Sequence, residues 1–151
     1  MYQLRYAMLA VTHEGTGKAL QWLLPDFTVA GKTGTSNDLR DSWFAGFSGD
    51  MMAVVWIGRD DNQSTGLTGS SGALRVWADI VKQRSQLAVQ NILPEDIQIA
   101  WVNKQTGAGS QENCSDAIAL PFIEGKQPKI EVRCRQGLGK VLDWFETLSS
   151  D

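Results

Sequence analysis

Two stretches of the chain carry apolar residues at the i, i+3, i+4, i+7 spacing of one helix face. Gly15 is expected to end the first helix, and Ser70 or Ser71 is expected to cap the start of the second. A shorter apolar segment over 18–24 predicts a helical turn that Pro25 stops. The apolar positions of the two helices are Leu4, Ala7, Met8 and Val11, then Ala73, Val76, Trp77, Ile80 and Val81.

Between these helices, β-branched and aromatic residues predict three strands, over 27–35, 42–47 and 51–58. The last two flank the short turn Ser48-Gly49-Asp50, which favours a hairpin and therefore an antiparallel sheet. The predicted fold class is α+β, an antiparallel sheet with packed helices. Trp43, Trp56 and Trp77 occupy periodic apolar positions and are assigned to the core.

A polar stretch over 85–91, followed shortly by Pro94, predicts a unit boundary near residue 90. We therefore expect one unit over 1–90 and a smaller, β-rich unit over 91–151. Strands are predicted over 97–102, 118–123 and 129–133. A final amphipathic helix is marked by Leu138, Val141, Leu142, Phe145 and Leu148.

Composition is that of a small globular chain. It has 151 residues, with 14 Lys and Arg against 17 Asp and Glu, a net charge of -3. This weakly acidic balance lacks the basic footprint of nucleic-acid binders, so nucleic acid is not an expected partner. The longest apolar run, 51–57, is far short of the roughly 20 residues of a membrane helix. The first eight residues have neither the basic start nor the apolar stretch of a secretion signal, so no signal or anchor is expected in this chain.

The two cysteines, Cys114 and Cys134, match no CxxC motif. Only one histidine, His13, accompanies them, so no metal site is expected. From composition, a disulfide and two buried thiols are both open.

The tripeptide Gly31-Lys32-Thr33 matches the end of a phosphate-binding loop. The first glycine of that motif would fall at position 26, which is Asp26, and the segment after Thr33 has the pattern of a loop and a strand where a helix is required. A small nucleotide-binding protein is therefore the weaker alternative.

The same residues, as Lys32-Thr33-Gly34-Thr35 on a strand, match one of three motifs of the serine acyltransferases that react with penicillin. The flanking segments GTGKAL (15–20), VAGKTGTS (29–36), DSWFAG (41–46) and WIGRD (56–60) follow in order. This order resembles the C-terminal half of the transpeptidase domain of class A penicillin-binding proteins, particularly the 1B type. The resemblance is strong over 4–81 and looser around Cys114 and Cys134, where it extends to a small C-terminal extension.

The resemblance implies a role for each residue of the motif. Lys32 would place a cation beside a nucleophilic serine and a substrate carboxylate. The hydroxyls of Thr33 and Thr35 would bind the terminal carboxylate of a D-alanyl-D-alanine stem peptide, and Gly34 would let that peptide lie against the strand. The backbone N–H of Thr35 would supply half of the oxyanion hole, which makes Lys32 and Thr35 the catalytic candidates. Taken alone, Lys32 also fits a solvated edge-strand lysine, the threonines fit ordinary β-propensity, and Gly34 fits a bulge.

For the whole enzyme, the resemblance implies a bifunctional peptidoglycan synthase that polymerises glycan strands and cross-links stem peptides by acyl transfer through a serine ester. No cofactor is implied. Its ligands would be stem peptides and β-lactams, its partners outer-membrane or cell-division regulators, and its place the periplasmic face of the bacterial inner membrane. Because that compartment is oxidising, the resemblance favours a Cys114–Cys134 disulfide.

The other two motifs of the family do not occur in this sequence. No serine has a lysine three residues later, and there is no Ser-x-Asn. The chain is therefore expected to be a fragment that is inactive alone and that exposes apolar surface where a missing helical subdomain would pack. The alternative from another class is a non-catalytic module that binds peptidoglycan or a regulatory partner through the sheet edge and the C-terminal extension. A piece of a serine β-lactamase is a further option, against which the 1B-like flanking segments and the tail argue.

Overall fold

The structure, a computed structural model, describes residues 1–131 and divides the chain into two compact units at Ile92 and Leu93. In the first unit, a 3-10 turn (Asn37–Leu39) joins the first two strands. The elements of this unit are α1 (Tyr2–His13), α2 (Leu20–Leu23), β1 (Ala30–Thr35), β2 (Ser42–Phe47), β3 (Met52–Ile57) and α3 (Ala73–Arg84). The second unit contains β4 (Ile97–Asn103) and β5 (Ala117–Ile123).

The three strands of the first unit form an antiparallel sheet in the order β1-β2-β3. The β1–β2 register runs without interruption from Ala30 opposite Phe47 to Thr35 opposite Ser42. Gly34 therefore lies in a regular ladder, which excludes a bulge at that position. The predicted α+β class, with an antiparallel sheet and packed helices, is confirmed.

One face of the sheet, which we call the core face, packs against α2 and α3. Phe44 and Trp77 are fully buried there, with ring centroids 5.0 Å apart. Glycine is required beside them: a Cβ on Gly31 would lie 2.4 Å from the Phe44 ring, and a Cβ on Gly46 would lie 2.7 Å from it. Gly31 belongs to the tripeptide that matches the end of a phosphate-binding loop. In the structure, its missing side chain leaves space for the Phe44 ring.

The opposite face of the sheet is covered at one end by α1, where Leu9 packs with Ala30. Its remainder, which we call the open face, carries four apolar side chains that are 43–79% exposed. They are Trp43, Met52, Val54 and Trp56. The assignment of Trp43 and Trp56 to the core is therefore wrong, whereas that of Trp77 is right. The strands carry apolar residues on both faces of the sheet, and within residues 1–131 a helix covers that part of the sheet on the core face alone.

Helix α3 is not capped by Ser70 or Ser71. Its N-cap is Gly72, and the Ala73 N–H donates to Oγ of the fully buried Ser42, 2.9 Å away. The same Ser42 hydroxyl donates to the carbonyl of Thr68 at 2.8 Å. A side chain from β2 therefore accepts the hydrogen bond that a serine next to the helix was expected to accept. Capping rules consider only residues adjacent in sequence, so they cannot predict this contact.

In the second unit, β4 and β5 pair antiparallel from Ile97 opposite Ile123 to Asn103 opposite Ala117. The strand predicted over 129–133 is not found over 129–131, where Ile130 makes a single parallel bridge with Gly109. The helix predicted from Leu138 to Leu148 lies outside the described residues.

The predicted disulfide involves Cys114, which is buried in the turn before β5, and Cys134, which lies outside the described residues. We expect periplasmically expressed, denatured chain to show no free thiol on alkylation and mass spectrometry. In the chain-entropy model, closing this loop adds about 3 kcal/mol of stability. Two alkylated cysteines in the unreduced sample would contradict the prediction.

A carboxylate joins the β2–β3 turn to the segment that leaves α3. Asp50 accepts hydrogen bonds from the Ser85 hydroxyl, from the Gln86 N–H at 2.9 Å and from the Ser48 hydroxyl at 3.0 Å. These donors, Ser85 first and Gln86 next, lower the pKa of Asp50 from 3.8 to about 2. The folded state therefore favours the ionised form.

We expect Asp50→Asn to lower the melting temperature at pH 7. Because the pKa of Asp50 is lower in the folded than in the unfolded chain, its ionised carboxylate stabilises the fold above about pH 4. This contribution disappears as the pH falls from about 4 to about 2. In thermal melts followed by circular dichroism, the difference in melting temperature between wild type and variant should disappear over the same pH range. Asp79→Asn, an exposed residue of α3, is the control, and an equal effect of both variants would contradict the assignment.

Candidate functional site

The motif Lys32-Thr33-Gly34-Thr35 lies on β1, at the edge of the sheet. β2 pairs with one side of β1, and among residues 1–131 no strand pairs with the other side. Strand alternation places Lys32 and Gly34 on the open face, and Thr33 and Thr35 on the core face.

The Lys32 side chain is exposed and turns toward Thr33. Its Nζ donates to the Thr33 carbonyl at 2.7 Å and lies 3.5 Å from Thr33 Oγ1. A cation and a hydroxyl from opposite faces of the strand thus meet near the same backbone position. A compact ammonium with three donors retains capacity for an anion there.

Thr33 is held from outside the sheet by the turn between α1 and α2. Its Oγ1 is 2.6 Å from Oγ1 of Thr16, which lies between Gly15 and Gly17. A Cβ on Gly15 would lie 2.9 Å from the Val11 backbone, so this tight turn needs glycine. The sequence analysis predicted the end of a helix at this turn, but it did not identify Thr16 as a hydrogen-bond partner of the motif.

Thr35 and Gly34 are contacted by the loop that leads into α3. The Thr35 Oγ1 accepts a hydrogen bond from the Gly69 N–H at 2.9 Å. On the neighbouring strand, Trp43 lies opposite Gly34, and a Cβ on Gly34 would lie 3.1 Å from the Trp43 Cβ. The loop residue Gly69 was also missed by sequence reasoning; its only signal was a stretch rich in Gly and Ser.

Next to the motif, Trp56 Nε1 donates to the carboxylate of Asp41 at 2.9 Å. This hydrogen bond, one from Ser36 and the charge of Arg40 hold the pKa of Asp41 below its ordinary value. Trp56 also lies against Trp43, with ring centroids 6.0 Å apart. Asp41 therefore fixes the tryptophan pair as an ionised acceptor at neutral pH.

The phosphate-loop alternative is contradicted by this geometry. Lys32 and Thr33 lie inside an antiparallel strand, and the segment that follows is the 3-10 turn, not a helix whose N-terminus could bind phosphate. His13 ends α1, with Nδ1 2.8 Å from the Leu9 carbonyl. Residues 1–131 contain no cluster of three potential metal ligands.

The arrangement suits recognition of an extended peptide with a terminal carboxylate. An edge strand offers backbone groups for a peptide to pair with, Lys32 supplies a positive charge, and Thr33 and Thr35 supply hydroxyls. In the part of the chain that the structure describes, no helix has the length and apolar character to cross a bilayer.

Comparison with known proteins gives several relatives of one kind. The chain is 42% identical to penicillin-binding protein 1B of Vibrio cholerae over 142 residues, 92% of this chain and 18% of the relative. It is 45% identical to penicillin-binding protein 1B of Haemophilus influenzae over 101 residues, 67% of this chain and 13% of the relative. The crystal structure of penicillin-binding protein 1A from Haemophilus influenzae matches with a TM-score of 0.74 and 23% identity, over 87% of this chain and 21% of that one. No protein-family model matches the chain.

The fold and the sequence matches together define the class, which is that of penicillin-binding proteins. This chain belongs to the class A penicillin-binding proteins and is homologous to types 1B and 1A over most of its length. It spans less than a fifth of the length of these curated relatives.

Proposed function

We propose that this chain contributes the Lys-Thr-Gly strand of a serine D,D-transpeptidase, part of a bifunctional peptidoglycan synthase at the periplasmic face of the inner membrane. One observation carries the proposal: Lys32 Nζ lies beside Thr33 Oγ1 at a sheet edge with which no other strand of residues 1–131 pairs. The stem peptide would lie along β1, and its terminal carboxylate would meet the Lys32 ammonium and the hydroxyls of Thr33 and Thr35. The same strand would accept β-lactams.

Each motif residue then has its own part in binding or acyl transfer. Lys32 binds the carboxylate and takes part in proton transfer to and from the serine, Thr33 is oriented by Thr16, and Thr35 offers a hydroxyl and a backbone N–H. During acyl transfer, that N–H would stabilise the negative charge that develops on the carbonyl oxygen. Gly34 has no side chain, so the peptide backbone can approach the strand closely.

The exposed side chains of the open face fit a part of a larger domain. Trp43, Val54 and Trp56 lie on the same face as Lys32. We propose that the rest of the longer protein covers this face and brings the nucleophilic serine toward Lys32. The isolated chain should accordingly bind the dye ANS. The proposed domain roles are thus the C-terminal half of the transpeptidase domain for residues 1–90 and a small C-terminal extension for 91–151.

Binding of N-acetyl-D-alanyl-D-alanine to the ¹⁵N-labelled chain tests the proposal. We expect saturable shifts of the amide signals of β1, because the carboxylate interacts with charged and hydroxyl donors there. Lys32→Ala should weaken binding about 10- to 100-fold, the range expected for loss of a hydrogen bond to a charged group. Lys18→Ala, at an exposed lysine before α2, is the matched control.

Two outcomes would contradict this function. Shifts that avoid β1 would place the dipeptide elsewhere, and an equal affinity of the Lys32→Ala and Lys18→Ala variants would leave Lys32 as a solvated edge residue. Saturable binding of longer peptidoglycan fragments through the second unit would instead support a non-catalytic binding module.

A further inference from the structure

The loop between β3 and α3 touches the Lys-Thr-Gly strand at Gly69. A Cβ on this residue would lie 2.6 Å from the Gly34 carbonyl oxygen and 2.7 Å from that of Trp43. It would also lie 2.9 Å from the Gly34 nitrogen. All three neighbours are backbone atoms of paired strands, which cannot move aside without disturbing the sheet. Position 69 therefore needs glycine for close packing.

This close approach brings the Gly69 N–H to the Thr35 hydroxyl, 2.9 Å away. A threonine hydroxyl has one proton to donate and two lone pairs to accept with. Because Gly69 occupies a lone pair, the Thr35 proton is free to be directed at a ligand. Accepting one hydrogen bond also strengthens the hydroxyl as a donor.

The loop that carries Gly69 is fixed in turn by Ser42. The buried Ser42 hydroxyl donates at 2.8 Å to the Thr68 carbonyl, which belongs to the same peptide unit as the Gly69 N–H. On the other side, the Leu74 N–H donates to the Gly69 carbonyl at 3.0 Å. The Gly69 N–H is thus held between a strand side chain and the first turn of α3.

We propose that Gly69 is a positioning residue, which sets the rotamer of Thr35 so that its hydroxyl donates to the terminal carboxylate of the peptide. This inference rests on the proposed function of β1 as the substrate-binding strand. It adds that the specificity for a free carboxylate depends on a backbone donor 34 residues farther along the chain.

The first test needs no ligand. Three-bond couplings from ¹⁵N and ¹³C′ to Cγ2 of Thr35 should report a single χ1 rotamer in the wild-type chain and in Ser70→Ala, the control within the same loop. In Gly69→Ala the couplings should average, because the loop is displaced. Thr35→Val should speed hydrogen exchange of the Gly69 amide at least tenfold, and Thr35→Ser should restore its protection.

The second test compares N-acetyl-D-alanyl-D-alanine with its C-terminal carboxamide. Gly69→Ala and Thr35→Val should each weaken binding of the free acid about 10- to 100-fold and leave binding of the carboxamide unchanged. The double variant should lose no more than either single one. Thr35→Ser should retain the affinity of the wild type.

The outcomes separate the two proposals. If the wild-type chain binds neither dipeptide, the function assigned to β1 fails, and the couplings still decide whether Gly69 orients Thr35. An averaged Thr35 rotamer in the wild-type chain would overturn the positioning role. So would equal weakening of both dipeptides by Gly69→Ala, or additive losses in the double variant.

Discussion

We expect the purified 151-residue chain, incubated with a fluorescent penicillin, to carry no label that survives denaturation. A covalent adduct requires a serine oxygen, a base within hydrogen-bond reach and two donors converging on the carbonyl oxygen. This sequence offers Lys32, the two threonine hydroxyls and the Thr35 N–H, but no serine followed by lysine three residues later. Denaturing gel electrophoresis with fluorescence detection measures the result.

Penicillin-binding protein 1B of Vibrio cholerae, treated in parallel, is the positive control, since it is 42% identical to this chain over 142 residues. A hybrid in which this chain replaces the matching segment of that protein should regain a labelled band. A labelled band from the chain alone would show that one of its own serines is a nucleophile. Ser36, which follows Thr35 directly, would then be the first to substitute, and the assignment as an incomplete transpeptidase would have to be withdrawn.

The elements of the first unit were largely predictable because each is short and its periodicity is strong. β2 was predicted over the six residues it occupies, and α3 contains all the apolar positions, from Ala73 to Val81, whose spacing predicted a helix. β1 begins three residues later than predicted: 27–29 have β-propensity, but the ladder starts at Ala30, opposite the last residue of β2. Propensity is a property of single residues, so it cannot show where pairing stops because the partner strand has ended.

What the sequence could not give is contact between distant residues. The cap of α3 comes from Ser42, 31 residues before Ala73, and the support of Thr35 comes from Gly69. Trp43 and Trp56 have the alternation of buried residues, yet burial depends on what covers the open face. The motif itself was found because its four residues are contiguous, whereas the groups that hydrogen-bond to its threonines, Thr16 and Gly69, lie in two separate loops.

The hybrid described above also permits a direct test of Lys32. We expect Lys32→Ala in the hybrid to slow acylation by benzylpenicillin about 10²- to 10³-fold, the cost typical of losing one electrostatic donor in an acyl-transfer site. Single-turnover labelling at increasing penicillin concentration separates binding from acylation. Lys32→Arg, which keeps the charge but not the compact ammonium, should recover part of the binding and little of the rate.

Lys18→Ala is the matched control, since Lys18 is an exposed lysine in the same unit, and it should label at the rate of the unmodified hybrid. Thermal melts of the three variants establish that each is folded. Removal of an exposed edge-strand lysine costs little stability, so a lost rate with an unchanged melting temperature assigns Lys32 to chemistry. Equal acylation rates for Lys32→Ala and Lys18→Ala would instead mean that the Lys32–Thr33 contact only shapes the sheet edge.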